Sequence, residues 1–377
     1  MINFYEPIIS NKDVKSVEKV IQKKMISGNN IIVSDFEEAL AKFLDVKYVS
    51  VCSSGTSALH LALLALNLKQ DDEVIMPSFS YIATSNSVKY VGAKPIYVDI
   101  DPETWQLDHN LIKSSITNKT KAIMPVHLYG GIPNIKEINQ VAKEYNISLI
   151  HDAAESLGSK YLDKSSGALK DVSIFSFFPN KIITTGEGGM VSTNKKFIYE
   201  KVRKLRSQGL AGREEYVHDE IGYNYRMTAL SAALGMSQLS EINNKLLIRK
   251  EQHEYYKEKL RDYVCFQKNL KEVDSSNWLT VLKLKNYKER IGLKKHLNNL
   301  KIETRNSFYP LHKQPVEKKI KKPQLSITED ISNKTLCIPS SPALKKNEVD
   351  FIIKSIKYFF QNKLWLKILN IKKLKIT

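Results

Sequence analysis

Residues 47–195 alternate between short apolar runs typical of strands and longer runs with helical periodicity. In the helical run 134–145, Asn134 is a predicted N-cap and Glu137 follows three residues later. Such alternation predicts an α/β fold with a mostly parallel sheet, helices on both faces and ligand sites at the carboxyl ends of the strands. The strand candidates are residues 48–52, 73–76, 95–99, 122–127, 147–151 and 172–177.

A second, smaller region follows a long helical stretch at about residues 228–260. It contains a strand candidate near residue 278 and a final helix at about 348–360. We therefore predict three parts: a large domain at 1–240 with an N-terminal arm, a smaller C-terminal α/β domain at 241–362 and a basic tail at 363–377.

The charge and the cysteines narrow the class of protein. The 377 residues carry a net charge of +18, but the lysines are dispersed and no nucleic-acid-binding signature accompanies them. We expect no nucleic-acid partner, and a positive field that favours an anionic substrate. The start of the chain lacks a signal-peptide pattern, and the three scattered cysteines argue against a disulfide framework or a zinc site, so we expect a cytoplasmic protein without a metal.

Lys181 stands between a strand-like run at 173–178 and a glycine-rich turn at 184–189. A lysine held there by a sheet is placed to form a Schiff base with a carbonyl cofactor, and pyridoxal phosphate (PLP) is the usual one. Taken by itself, Lys181 could equally be a solvated residue in a lysine-rich chain.

Two segments could bind the phosphate of such a cofactor. Residues 53–58 follow a strand and open a helix, whose free amides and dipole favour an anion. Ser176 stands at a strand end and could add a hydroxyl donor. A plain helix start capped by Ser54 and a core serine are the alternative interpretations.

Two further residues could contact a pyridine ring. Asp152 comes just after a strand, where a buried carboxylate could pair with the ring nitrogen, although an N-cap aspartate would look the same. Tyr81 follows another strand and could stack on the ring, or could be an ordinary core aromatic.

Five segments carry a resemblance to a known family. With them the chain resembles the DegT/DnrJ/EryC1/StrS group of PLP-dependent sugar aminotransferases. The resemblance implies the aspartate-aminotransferase-like fold (fold type I) and a homodimer with active sites shared between subunits. The segments are Gly55-Thr-Ser-Ala-Leu-His-Leu-Ala62, His151-Asp-Ala-Ala-Glu-Ser-Leu-Gly158, Ser176-Phe-Phe-Pro-Asn-Lys181, Thr184-Thr-Gly-Glu-Gly-Gly189 and Gly222-Tyr-Asn-Tyr-Arg-Met-Thr228.

The same resemblance implies a role for each site residue. Relatives often carry Gln or His, near the ring hydroxyl, at the position of Glu155. The implied roles are Lys181 as Schiff-base lysine, Asp152 as partner of the ring nitrogen, Tyr81 as stacking ring, Gly55, Thr56, Ser57 and Ser176 as phosphate ligands, Asn224 as a ligand of the neighbouring subunit's cofactor phosphate, and Arg226 as ligand of the donor carboxylate.

The implied reaction moves an amino group from L-glutamate to a keto sugar. Glutamate leaves as 2-oxoglutarate, pyridoxamine phosphate (PMP) carries the amino group, and Lys181 moves the proton. Relatives with histidine at this position deoxygenate sugars, so a lysine favours transamination.

The substrate is indicated by residues 302–312 with Gln314-Pro315. They resemble the corresponding segment of GDP-perosamine synthases and other aminotransferases of nucleotide-linked 4-keto-6-deoxy sugars, which supply surface polysaccharides. Those relatives commonly have Pro-Phe where this chain has Asn306-Ser307. Arg305, Tyr309 and His312 could contact the diphosphate or the sugar, or could only support the loop.

Several alternatives stay open. The substrate could be a UDP- or dTDP-linked 3- or 4-keto sugar, and the chain could be a non-catalytic PLP-binding regulatory protein. The tail 363–377 mixes apolar residues with lysines, so it could contact an anionic membrane surface or another subunit, or simply fray.

Overall fold

The computed structural model describes residues 1–211, 216–317 and 324–374, with side chains as far as residue 362. The helices are α1 (Asn11–Gln22), α2 (Ile31–Leu44), α3 (Gly55–Ala65), α4 (Ile82–Tyr90), α5 (Ile135–Glu144), α6 (Lys196–Arg206), α7 (Ala229–Ser240), α8 (Ile242–Leu260), α9 (Tyr287–Asn299), α10 (Ser326–Lys334) and α11 (Lys346–Leu374). The strands are β1 (Tyr48–Cys52), β2 (Glu73–Pro77), β3 (Lys94–Val98), β4 (Thr120–Ile123), β5 (Ser148–Asp152), β6 (Lys160–Tyr161), β7 (Lys164–Ser165), β8 (Val172–Ser176), β9 (Gly189–Thr193), β10 (Cys265–Phe266), β11 (Val273–Asp274), β12 (Thr280–Lys283), β13 (Arg305–Asn306) and β14 (Thr335–Ile338).

Seven strands form the main sheet in the order β1-β9-β8-β5-β4-β2-β3. The five strands from β8 to β3 are mutually parallel, whereas β9 is antiparallel to both of its neighbours. The predicted α/β fold with a mostly parallel sheet is therefore confirmed. Strand β4 ends at Ile123, earlier than predicted, and Val126 pairs with Asp152 only through an isolated bridge.

The helices around this sheet follow the sequence pattern. Asn134 caps α5 by accepting a hydrogen bond from the Glu137 amide, as predicted, and Ile138 is fully buried against the sheet. Helix α3 is apolar nearly all round because it is buried on nearly every side, between the sheet and its neighbours α4 and α6.

The residues after α8 build an antiparallel sheet of their own, in the order β10-β12-β14-β13. Helices α8, α9 and α11 cover it with a separate apolar core that includes Tyr256, Leu293 and Ile352. The helical stretch predicted at 228–260 is two helices, because Glu241 (φ −109°, ψ 7°) leaves the helical conformation between α7 and α8. The domain boundaries at 240 and 362 stay predictions.

The two chain ends differ. Ile2 pairs with Ile302 in an isolated parallel bridge, so the N-terminal arm lies along the C-terminal region. Helix α11 continues into the predicted tail as far as Leu374, while the tail's side chains and residues 375–377 lie outside the described part. Across residues 1–211, 216–317 and 324–374, no helix has both the length and the apolarity needed to cross a membrane.

Candidate active site

A cavity of about 530 Å³ opens at the carboxyl ends of the main-sheet strands, against the C-terminal region. Its size is typical of small-molecule sites. Most of the predicted site residues line it, and residues of the N-terminal arm and of the second region complete the wall. The predicted residues in the wall are Gly55, Thr56, Tyr81, Asp152, Glu155, Ser176, Lys181 and Arg305.

Lys181 is held at the base of this cavity by its own turn. Its amide donates to the Phe178 carbonyl at 2.9 Å, and its carbonyl accepts from the Tyr5 hydroxyl at 2.9 Å. The Nζ atom lies 3.5 Å from the centroid of the Trp278 ring and 3.9 Å from Glu155 Oε1. Burial lowers the pKa of Lys181, while the charges of Glu155 and then Asp152 oppose that shift. A lysine with a lowered pKa is more readily the free amine that nucleophilic chemistry requires.

Asp152 ends β5 with its carboxylate buried. Oδ2 accepts a hydrogen bond from the Thr84 hydroxyl at 2.7 Å, and Oδ1 accepts from the Ala154 amide at 3.3 Å. Burial raises the pKa of this carboxyl, although the Thr84 bond works against the shift. A cationic partner in the cavity would stabilise the ionised form of this buried carboxylate.

Glu155 lies one turn beyond Asp152 and is also buried. Its Oε2 accepts from the Tyr129 amide at 2.8 Å, and Tyr129 adopts a left-handed conformation (φ 56°) that aims this amide at the carboxylate. Burial raises the pKa of Glu155, and the Lys181 ammonium is the main opposing influence. The hydrogen bond from the backbone fixes the carboxylate beside the lysine.

The amino end of α3 faces the cavity. Gly55 and Thr56 occupy its first turn, where amides have no acceptor within the helix. A Cβ on Gly55 would come within 2.9 Å of the Ser176 Cβ, so the close approach of α3 to the end of β8 requires glycine.

Ser57 differs from its neighbours in this turn. It is buried and does not line the cavity: its amide donates to Ser54 Oγ at 3.0 Å and its hydroxyl donates to the Ser54 carbonyl at 2.8 Å. In this structure Ser57 serves the helix cap, and its contact with a phosphate stays a prediction.

Tyr81 and Arg305 both line the cavity, and both are exposed. Tyr81 is exposed, and its ring centroid lies 6.1 Å from that of Phe308. The Arg305 guanidinium lies 5.2 Å from the Phe4 ring centroid, and its Nη2 is 3.2 Å from Glu303 Oε1. Both side chains remain accessible to a ligand that enters the cavity.

Two residues of the predicted substrate segment are placed elsewhere. His312 is buried: its Nδ1 is 2.6 Å from Ser78 Oγ and its Nε2 is 3.2 Å from Glu329 Oε1, so it fastens the segment to the turn after β2. Tyr309 is exposed and does not line the cavity. The contacts of His312 fit the alternative interpretation, support of the loop, and neither side chain lines the cavity with Arg305.

Asn224 and Arg226 also lie outside the cavity of their own chain. Asn224 is exposed and pairs with Ser207 in an isolated bridge, and Arg226 lines a separate surface hollow with Gly222 and Ile221. One described chain does not bring either residue to Lys181.

Several residues that complete the site were not predicted from the sequence. Thr84 orients Asp152, Trp278 covers the Lys181 amine, and Phe4 and Phe308 form the outer wall. Only Thr84 had a detectable signal, because it lies one helical turn after Tyr81 on the same strand-to-helix connection. The others come from chain segments far from Lys181 in sequence.

Comparison with known proteins shows the family of this chain. Residues 7–357 match the DegT/DnrJ/EryC1/StrS aminotransferase family. The chain belongs to this family. The GDP-perosamine synthase of Escherichia coli O157:H7 is 43% identical over 364 residues, which cover 96% of this chain and 99% of that protein. The GDP-perosamine synthase of Vibrio cholerae is 37% identical over 364 residues, with the same coverage of 96% and 99%.

A solved structure gives the same result for the fold. Helicobacter pylori PseC, an aminotransferase involved in the biosynthesis of pseudoaminic acid, superimposes with a TM-score of 0.91 at 27% identity, covering 96% of this chain and 99% of that one. Membership in the DegT/DnrJ/EryC1/StrS family confirms three predictions from the sequence: the resemblance, fold type I and a sugar aminotransferase that uses PLP.

Proposed function

We propose that this protein aminates C4 of a GDP-linked 4-keto-6-deoxy sugar, with L-glutamate as donor, and so supplies an amino sugar for a surface polysaccharide. The observation that carries the proposal is one cavity holding the Lys181 amine, the buried Asp152 carboxylate and the open amino end of α3. The 43% identity to a GDP-perosamine synthase supports the choice of nucleotide and carbon.

The residues present fit PLP. In the described part of the chain Asp152 has no ion-pair partner, so a protonated ring nitrogen would supply the missing positive charge. The amides of Gly55 and Thr56, with the Ser176 hydroxyl, would hold the phosphate, and Tyr81 would cover a ring face. Lys181 would hold the cofactor covalently.

The bound cofactor supplies a carbonyl that condenses with amines and a ring that stabilises the carbanion formed at Cα. The chain's own task is proton transfer. Lys181 Nζ would take the Cα proton of glutamate and deliver it to C4′ of the cofactor, and it would reverse this transfer for the sugar. The lowered pKa of Lys181 suits the first step, because a neutral amine is the base. The closely packed wall limits water around the amine.

We further propose that two copies of the chain share their active sites. Asn224 and Arg226 lie outside their own cavity, and the adjoining Ile221 is 87% exposed, which favours burial against another surface. In a dimer Asn224 would meet the cofactor phosphate of the neighbouring cavity and Arg226 the donor carboxylate.

Mixed subunits test this arrangement. A Lys181→Ala chain and an Arg226→Ala chain should each be inactive. When equal amounts are refolded together, about half of the dimers are mixed, and one of the two cavities in each mixed dimer is intact. The mixture should therefore recover about a quarter of wild-type activity per site. The absence of any recovery, with dimers present by light scattering, would contradict shared sites.

The substrate proposal is tested with a panel of GDP-, UDP- and dTDP-linked keto sugars. Glutamate and the GDP-linked 4-keto-6-deoxy sugar should give a 4-amino product by mass spectrometry and NMR. Preference for another nucleotide or amination at C3 would overturn the choice of substrate. A cofactor spectrum that glutamate leaves unchanged would overturn the choice of donor.

The remaining predictions concern location. We propose a cytoplasmic enzyme, supported by the free state of Cys52, Cys265 and Cys337. Peripheral membrane contact through residues 363–377 is tested by sedimenting the full chain and a chain ending at residue 362 with anionic vesicles. Equal binding of the two chains would exclude the tail as an anchor.

A further inference from the structure

The Trp278 side chain contacts the Lys181 turn at two points. Its ring centroid is 3.5 Å from the Lys181 Nζ, and its indole N–H donates to the Asn180 carbonyl at 2.5 Å. Only 4% of Trp278 is exposed, so the contact between ammonium and ring is largely desolvated. Contacts of this kind are strongest when water is excluded.

The position of the Trp278 ring is fixed by the residues around it. Asn277, the preceding residue, has φ 48°, and its carbonyl accepts from Arg249 Nη2 at 2.7 Å and Nε at 3.1 Å. Arg249 is fully buried on α8. On the other side the Trp278 ring stacks on Tyr129, with centroids 6.4 Å apart and planes 21° from parallel. The second region thus presents a fixed aromatic face to the lysine.

The ring competes with a carboxylate for the amine. Glu155 Oε1 is 3.9 Å from Nζ, which is too long for a hydrogen bond, although the two groups are buried together. A direct ion pair in this setting would be strong and would hold the amine toward Glu155. The observed position keeps Nζ against the ring instead.

We propose that Trp278 is a positioning residue for Lys181, whose ring face holds the Nζ ammonium whenever the amine is not bonded to the cofactor. This inference rests on the proposed role of Lys181 as the group that moves the proton. While Nζ carries that proton, the ring keeps the ammonium near the reacting carbons without the tight pairing that Glu155 would impose. The second region therefore acts on the chemistry of the first through one side chain.

The charged groups that act on the amine are Glu155 and Asp152, and both raise its pKa against the effect of burial. Two phenols lie near the lysine: Tyr5 donates to the Lys181 carbonyl, and Tyr129 lines the cavity. Burial raises the pKa of each, so both stay neutral. The ring adds a further preference for the ammonium. Removing the ring should lower the pKa of Lys181, because the protonated form loses a stabilising contact.

The test measures the reactivity of Lys181 in the cofactor-free protein. Labelling with an amine reagent, quantified by peptide mass spectrometry between pH 6 and 10, gives the pKa of the lysine. Trp278→Leu should lower the pKa of Lys181 by about one unit. At pH values below that pKa, labelling should be about tenfold faster than in the wild type. Trp278→Phe keeps the ring face and should restore most of the wild-type value. Tyr5→Phe, which loses only the bond to the Lys181 carbonyl, is the matched control.

Wild-type pKa values in folded Trp278→Leu would overturn the inference, as would an equal shift in Trp278→Phe and Trp278→Leu. A second measurement needs no change at Trp278. Tryptophan fluorescence of the wild-type apoprotein should titrate with the labelling pKa, and this inflection should vanish in Lys181→Ala; its persistence would also overturn the inference. Both readouts are independent of the proposed function, which fails separately if glutamate leaves the cofactor spectrum unchanged.

Discussion

The two ends of the cavity are built differently. The inner end, Gly55, Asp152, Ser176 and Lys181, stands on strand ends and a helix start of the main sheet, and the Lys181 side chain is only 12% exposed. The outer end, Phe4, Arg305, Asn306 and Phe308, comes from the arm and the second region, and the Arg305 side chain is 63% exposed. Buried, hydrogen-bonded residues at the inner end determine the reaction. Exposed residues at the outer end can be substituted to bind a different ligand with little loss of stability. Substitutions at the two ends should therefore have different consequences.

The largest effect is expected at the inner end. Lys181→Ala should lower turnover by at least about a thousandfold, because both the covalent anchor and the proton carrier are lost. Borohydride reduction of wild-type protein with PLP should leave the cofactor on the peptide that contains residue 181, and the variant should show no such adduct. Lys196→Ala, at an exposed lysine of α6, is the control. Cofactor found on another lysine of the wild type would refute the assignment.

Asp152→Asn should reduce turnover by about a hundredfold, since the amide keeps the shape but cannot balance a protonated ring nitrogen. Thr84→Val removes the hydroxyl that donates to Asp152 at 2.7 Å and should give a smaller loss, of about fivefold. Steady-state assays at saturating PLP measure both. Asp71→Asn, at an exposed aspartate, is the control. If Asp152→Asn were as active as this control, the Asp152 carboxylate would not serve the cofactor.

The inner end was predictable from the sequence because each of its residues directly follows an apolar run or opens a helical one. Strand order places such positions at one edge of the sheet, so Lys181, Asp152 and Gly55 could be expected together without knowing any distance. Ser57 was harder to place, because a serine in the first turn can bind a ligand or cap the helix and the sequence does not distinguish the two.

The outer end was less predictable because it is assembled from distant parts of the chain. Phe4 reaches the cavity through the backbone pairing of Ile2 with the region near residue 302, and Trp278 reaches Lys181 across the boundary between the two regions. No local pattern records either contact. For His312 the sequence left ligand contact and loop support open, and the structure buries its imidazole against Ser78.

Arg305 and His312 provide the next comparison, because they belong to one segment but lie in different environments. If Arg305 binds the nucleotide sugar as predicted, Arg305→Ala should raise the KM for that substrate about tenfold and leave the half-reaction with glutamate unchanged. His312→Ala should leave KM unchanged and lower stability by about 2 kcal/mol, because Ser78 and Glu329 lose a buried partner. Urea unfolding and initial rates measure the two effects. A raised KM without loss of stability in His312→Ala would return this residue to the substrate site.

The smallest effect concerns the packing beneath the inner end. His151, next to Asp152 on β5, is fully buried, and its Nδ1 lies 3.1 Å from His127 Nε2. Burial lowers the pKa of His151 from 6.5 to about 4 and that of His127 in the same direction. Below pH 6.5 the unfolded chain therefore binds protons that the native state does not, so stability must fall as the pH drops toward 4.

The slope contributed by one such histidine approaches about 1.4 kcal/mol per pH unit. His151→Gln, which cannot be protonated, should cost stability at pH 7 through lost packing, yet its deficit relative to wild type should shrink at pH 6 and again at pH 5. Urea midpoints of the cofactor-free protein at the three pH values test this, with His218→Gln, at an exposed histidine, as the control. Parallel pH curves for wild type and His151→Gln would mean that the pKa of His151 is the same in the native and unfolded states, so that the buried imidazole takes up a proton below pH 6.5. A positive charge on the residue next to Asp152 would then add to that of Lys181, and the carboxylate would depend less on a protonated ring nitrogen for its charge balance.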